Sequence, residues 1–196
     1  MKHFAELSPA SERIVDAAEE LVQRVGFNGF SYEDISQKVG IRKPSIHHHF
    51  RTKAELVVVM TQRYIHRFQQ QLSAIEIESK SSAGRLRAYA GVFARTFQDE
   101  RRLCVCGMLG AEADGLPEAV RVEVQNFFQL NAKWLERVIG MGQAAGELRN
   151  DQAAADLAAV WLGALEGSML VSRGAFGSQG PQAIAETLLA GCRSAI

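Results

Sequence analysis

Two short stretches hold most of the residues whose types can do chemistry. In RRLCVCGMLGAEADGLP, Arg101 to Pro117, Cys104 and Cys106 stand one residue apart behind two arginines. In GIRKPSIHHHFRTKAEL, Gly40 to Leu56, His47, His48 and His49 follow one another among Arg42, Lys43, Arg51 and Lys53. Thiols and imidazoles serve as metal ligands, nucleophiles and acid–base groups, so spacing must decide between these uses. Adjacent helical residues point about 100° apart, whereas helical zinc pairs sit at i,i+4, so the histidine triplet does not converge on one ion. The C-x-C pair has no further ligands close by to complete a zinc site. No metal or cofactor is expected. A thiol-dependent enzyme would have to draw its base from the N-terminal part, because no histidine follows His66. Two readings of the cysteines stay open. They are buried small hydrophobes, or Arg101 and Arg102 favour the thiolate of a reactive cysteine.

Charge gives the basic stretch its context. Over 196 residues the net charge is zero, yet Ser36 to Gln70 holds seven basic residues and one acidic one, Glu55, for +6 against −6 elsewhere. Such segregation points to a face for an anionic polymer on one part of the chain and another task for the rest. Apolar residues make up 47% of the chain, enough for a sizeable core. The opening MKHFAELSPASER is charged and lacks the apolar run of a secretion signal. The longest apolar stretch, Ala153 to Val171, is interrupted by Asp156 and Glu166, so no membrane span is expected. Three cysteines are too few and odd in number for a disulfide scaffold, which favours a reducing, cytoplasmic location.

The elements that carry these residues are all helical by pattern, with no sustained alternation to suggest a sheet. Ile14, Ala17, Ala18, Leu21, Val22 and Val25 form an apolar stripe, with Ser8 or Ser11 as N-cap and Gly26 as stop. Ser31 with Asp34 reads as a capping box for a short helix through Ile35 to Val39, and Gly40 makes the turn after it. Pro44 fits only a first helical turn, so a third helix starts at Arg42 or Lys43 and runs to about Phe50. Thr52 and Glu55 then cap a fourth helix with Met60, Tyr64, Phe68 and Leu72 at four-residue spacing, ending before the SKSSAG linker. Two short helices across a glycine turn, behind a supporting helix, make a helix-turn-helix unit. Ile46 and Phe50 then face inward, and Lys43, Ser45, His47 and His48 face outward toward phosphates or base edges, with Arg42 adding charge.

Residues Gly26 to Leu56, GFNGFSYEDISQKVGIRKPSIHHHFRTKAEL, resemble the N-terminal DNA-binding domain of the TetR-type (TetR/AcrR) transcriptional repressors. The resemblance implies an all-α chain with a three-helix DNA-binding domain over 1–55 and a helical inducer-binding and dimerisation domain over 56–196. It implies phosphate contacts from Ser31, Tyr32 and Lys53, and groove contacts from Lys43, Pro44, Ser45, His47 and His48. Arg42 stands where serine is usual in that family and His47 where tyrosine is, so the operator sequence does not carry over.

Beyond Gly84 the residues alone say less. One helix carries Leu86, Tyr89, Ala90, Phe93 and Phe97, and another, opened by Pro117, carries Phe127, Phe128, Leu130 and Trp134. Helical spacing makes these aromatics core, whereas the resemblance implies an inducer pocket lined by Phe93, Phe97, Met108, Phe127, Asn131, Trp134 and Trp161. Ala153 to Arg173 and Pro181 to Ser194 either complete a monomer core or, as the resemblance implies, pair with their copies across a twofold axis. The Cys104 segment is similar to that of the N-ethylmaleimide-responsive branch, which implies a sensor of electrophiles or oxidants. The expected function is a homodimeric repressor that binds a palindromic duplex and is released by a small apolar or electrophilic inducer. A helical module for RNA or an acidic protein is the other alternative beside the thiol enzyme.

Overall fold

The computed structural model describes residues 4–175, 177 and 180–192, and among these no β-strand occurs. The described residues form nine α-helices in chain order: α1 Pro9–Val25, α2 Tyr32–Val39, α3 Lys43–His49, α4 Lys53–Glu78, α5 Ser82–Gln98, α6 Val105–Gly110, α7 Glu118–Ala144, α8 Ala154–Gly174 and α9 Pro181–Cys192. The chain divides into two compact units, Met1–Phe68 with Val105–Phe127, and Gln69–Cys104 with Phe128–Ile196.

Local chemistry sets the ends of the helices in the first unit. Ser8 caps α1, accepting from the Ser11 amide at 3.3 Å, with Pro9 in the first turn. Ser31 and Asp34 form the reciprocal capping box of α2; the Ser31 amide donates to Asp34 Oδ2 at 2.7 Å. Gly40 ends α2 at φ 72°, a left-handed conformation that suits glycine. Thr52 Oγ1 accepts from the Glu55 amide at 3.1 Å, while the Glu55 carboxylate reaches past Thr52 to the Arg51 amide at 3.0 Å.

The core of this unit is built from Ile14, Val15, Ala18 and Val22 of α1, Ile35 of α2, Ile46 of α3, Phe50 after it, and Leu56 and Met60 of α4. Phe50 and Ile46 have no exposed surface, and truncating either to alanine removes about 2–5 kcal/mol. Val25, expected on the buried stripe of α1, is 48% exposed, because the helix stops there and the chain turns away at Gly26. A second layer is non-local. Helix α6 packs on α1, and the Glu112 carboxylate accepts from the Phe27 amide, the Asn28 amide at 3.1 Å and Asn28 Nδ2 at 3.2 Å. A Cβ on Gly26 would lie 2.7 Å from Glu112 Oε2, so the glycine serves both the positive φ and the close approach of the carboxylate.

In the second unit α5 packs against α8 and α9, and α8 against α9. Buried contacts come from Leu86, Tyr89 and Phe93 of α5, Trp161, Leu165 and Met169 of α8, and Ala185 and Leu189 of α9. Helix α8 has the length and composition of a membrane span, with mean hydropathy 1.4, and here it packs against α5 and α9. Ser194, the expected end of the last helix, lies outside the described residues.

Candidate nucleic-acid interface

Helix α3 is divided sharply between its two sides. Ile46 is sealed in the core, while Arg42, Lys43, Pro44, Ser45, His47 and His48 are all exposed. His49 is half-buried and its Nδ1 lies 3.0 Å from Ser11 Oγ, which ties the end of α3 to α1. His47 keeps an edge contact with the ring of Tyr32, 4.8 Å between centroids, so its imidazole is held on one side and open on the other. Among the described residues no group of three or more His, Cys, Asp or Glu side chains gathers as a metal site.

Two residues expected at phosphates also make contacts within the protein. Tyr32 is 6% exposed, and its hydroxyl donates to the Phe50 carbonyl at 3.0 Å. Burial, reinforced by the charge of Glu55, pushes its phenol pKa well up. Tyr32 thus joins the start of α2 to the end of α3 and fixes their crossing. Lys53 is half-buried, donates to the Phe30 carbonyl and lies 4.1 Å from the Phe30 ring centroid and 4.7 Å from that of Phe27. Burial holds its pKa below the usual lysine value, against the pull of Glu112 and Asp34. The ammonium is therefore engaged with the α1–α2 turn. Replacing Lys53 by Ala should lower stability by about 1–2 kcal/mol, through the lost hydrogen bond and cation–π contacts. The salt dependence of DNA binding should stay unchanged. A shallower slope in the variant would return Lys53 to the phosphate contacts.

The +6 count of the basic segment also resolves into parts. Lys38 pairs with Glu20 at 2.7 Å, Arg63 with Asp16 at 2.5 Å, and Arg67 with Glu19 at 2.5 Å. Acids of α1 thus neutralise three of the seven cations. Arg42, Lys43 and Arg51 remain exposed on or beside α3, and Ser31 is exposed at the start of α2.

The residues expected around an inducer fall in both units. In the first, Phe127 is fully buried among Tyr64 and Phe68, with ring centroids 5.7 and 5.1 Å away, and Met108 is half-buried on α6. In the second, Trp134 stacks on Tyr89 at 5.3 Å and donates from Nε1 to Glu76 at 2.5 Å, with Arg137 on the same carboxylate. Burial acts to raise the Glu76 pKa, but the hydrogen bonds from Arg137 and Trp134 outweigh it and hold the value down. Tyr89 is fully buried, packs on Phe93 at 5.2 Å and donates to Asn131 Oδ1 at 2.8 Å. Trp161 is 1% exposed, and Phe97 is half-buried beneath the Arg101 guanidinium. A groove of about 440 Å³ opens along Leu72, Glu76, Leu130 and Trp134.

Arg101, expected to favour a thiolate at Cys104, donates to the carbonyls of Ser172 and Gly177, and Arg102 pairs with Asp99 at 3.1 Å and Glu100 at 3.9 Å. The thiol of Cys104 instead hydrogen-bonds to the carboxyl of Glu166. Two residues outside the expected set, Tyr89 and Glu166, interact electrostatically with Cys104. The signal for Glu166 was its standing as a lone acid in the middle of an apolar helix.

A helix sunk by its apolar side and exposing cations and imidazoles, carried by a capped helix-turn-helix, is the apparatus of a DNA-binding regulator. The model of bacterial regulatory proteins of the tetR family matches residues 14–60, and that of the tetracyclin repressor-like C-terminal domain matches residues 82–186. The chain belongs to the TetR family. A TetR-family transcriptional regulator from Agrobacterium tumefaciens is 34% identical, with 94% of this chain and 98% of that one covered and a TM-score of 0.89. The HTH-type transcriptional repressor DhaR of Mycobacterium sp. (strain GP1) is 26% identical, covering 81% of each chain. The transcriptional regulator AcuR of Cereibacter sphaeroides is 27% identical over 83% of this chain and 76% of that one. The chain is accordingly a DNA-binding transcriptional repressor rather than an enzyme.

Proposed function

We propose that the protein binds a palindromic operator as a homodimer in the cytoplasm and leaves it when a small apolar or electrophilic inducer binds. Residues 1–55 read the DNA, and 56–196 bind inducer and form the dimer. The observation that carries the reading is α3, with Ile46 buried and Arg42, Lys43, Ser45, His47 and His48 exposed. Lys43, Ser45, His47 and His48 meet base edges or phosphates, Pro44 sets the first turn of α3, and Ser31 meets phosphate at the start of α2. One seven-residue helix discriminates weakly, and two on a palindrome double the contacts.

A stripe on α8 supports the dimer. Val160, Leu170 and Val171 are 53%, 62% and 66% exposed, and between them a Cβ on Gly163 or Gly167 would meet nothing within 4 Å. An apolar, glycine-notched helix face of this kind lets another helix approach closely. Ala164, Val171 and Ile184 of α9 line an open groove of about 610 Å³ beside it. The same pair of helices, α8 and α9, forms the twofold interface.

An inducer binds in the second unit among Phe93, Phe97, Asn131, Trp134 and Trp161, and Cys104 reacts where the inducer is electrophilic; Met108 and Phe127, also expected at the inducer, belong to the first unit. The test is to titrate operator-bound protein with apolar and thiol-reactive compounds in wild type, Trp134→Ala and Cys104→Ser. Loss of release only in Trp134→Ala identifies a reversible pocket ligand, and loss only in Cys104→Ser identifies an electrophile. Retention of DNA in wild type against every compound contradicts inducer control.

A further inference from the structure

Helix α8 holds one acid in its central turns, Glu166, and the carboxyl is held inside the second unit. The side chain as a whole is half-buried, but Oε1 is sealed from solvent and accepts no hydrogen bond. Burial without a partner disfavours the ionised form of a carboxyl, so this oxygen calls for an explanation. The group beside it is the thiol of Cys104, 2% exposed, which hydrogen-bonds to the carboxyl. Tyr89 of α5 is the other titratable group coupled to this pair. Its hydroxyl proton goes to Asn131 Oδ1 at 2.8 Å.

We propose that Glu166 is the proton acceptor for Cys104, and that the pair captures small, uncharged α,β-unsaturated carbonyl compounds. The proposal rests on the reading of Cys104 as an electrophile-sensing position and supplies the chemistry that reading lacks. The thiolate is the nucleophile, and the arginines expected to favour it are engaged elsewhere. A neighbouring base serves instead. Thiol beside carboxylate and thiolate beside carboxylic acid carry the same total charge. Moving the proton within the pair therefore adds no net buried charge, and the energy depends chiefly on how far apart the two acidities lie. Burial has raised Glu166 to about 7, much closer to an ordinary thiol near 8.5 than a solvated carboxyl is.

The step balances without any oxidant or reductant. The Cys104 proton passes to Glu166 as Sγ attacks the β-carbon. The S–C bond forms, the C=C π pair moves onto the α-carbon, and the resulting enolate takes the proton back from the Glu166 carboxyl. The product is a thioether with Glu166 again ionised. Because the sulfur is buried, the geometry selects small apolar reagents over bulky or charged ones.

The experiment follows labelling of the full-length protein by N-ethylmaleimide from about pH 5.5 to 8.5, using fragment ions that separate Cys104 from Cys106. In wild type the rate at Cys104 should rise through an inflection near 7, the Glu166 value. In Glu166→Gln it should fall at least about tenfold at neutral pH and lose that inflection, and Glu166→Asp should recover part of the rate. A carboxylate that merely repelled the thiolate would give the opposite sign, faster labelling in Glu166→Gln. Faster or equal labelling, or no labelling of wild-type Cys104, overturns the proposal. Labelling of Cys106 in the same samples reports opening of the fold; a slower Cys104 with an unchanged Cys106 supports a direct role. DNA binding by the labelled protein separates the two readings. Glu166-dependent labelling that leaves DNA bound upholds the proton acceptor and contradicts sensing, whereas Glu166-independent labelling that releases DNA does the reverse.

Discussion

Replacing Arg42 and Lys43 together by alanine should lower operator affinity by about three to four orders of magnitude at 0.1 M salt, through counterion release. Both side chains are exposed at the start of α3, and α1 acids neutralise neither of them, unlike Lys38, Arg63 and Arg67. A dimer carries four such cations, and each phosphate neutralised contributes about 0.9 to the slope of log affinity against log salt. The double variant should therefore flatten that slope by about three to four, while its folding stability stays near that of wild type because the residues are solvated. Binding isotherms at four or five salt concentrations measure both. An unchanged slope would move the DNA-reading surface away from α3.

Glu166 should make the protein less stable as pH rises. In the unfolded chain its pKa is near the model-compound value of 4.5, and burial lifts it to about 7 in the folded state, against the opposing hydrogen bond from Cys104. Between those values the folded state binds the extra proton, so the free energy of unfolding falls with pH and levels off above about 7. The full shift corresponds to roughly 3 kcal/mol, or on the order of 6–12 °C in melting temperature for a chain of this size. Melting curves at fixed protein concentration from about pH 5 to pH 8 should show this loss in wild type and not in Glu166→Gln. A wild-type curve that is flat, or that rises over this range, would mean that Glu166 stays ionised and solvated.

The helix-turn-helix was legible because its signals are local. Ser31–Asp34, Gly40 and Pro44 each set a backbone geometry within a few residues, and the resulting register alone puts Ile46 and Phe50 inside. What the sequence hid is decided by partners far along the chain. Tyr32 and Lys53 look like surface contacts until Phe50 and Phe30 present carbonyls to them. The excess positive charge of residues 36–70 shrinks because Asp16, Glu19 and Glu20 lie outside that window on a neighbouring helix. Glu112 and Glu166 are the clearest cases. Each reads as an ordinary acid in its own segment, and each has its partners, backbone amides or a thiol, more than sixty residues away. Val25 fits the apolar period of α1 yet is exposed, because periodicity carries no information about where packing ends.

The central claim is a twofold DNA reader, and the most direct measurement is to sequence genomic fragments selected by the purified protein and to determine the mass of the complex on the best of them. The account predicts an inverted repeat whose half-site centres are about 34–36 Å apart, or a multiple of that, occupied by an even number of chains. Half-sites should exchange symmetrically when mutated. Enrichment of an unrepeated sequence bound by a single chain would contradict it.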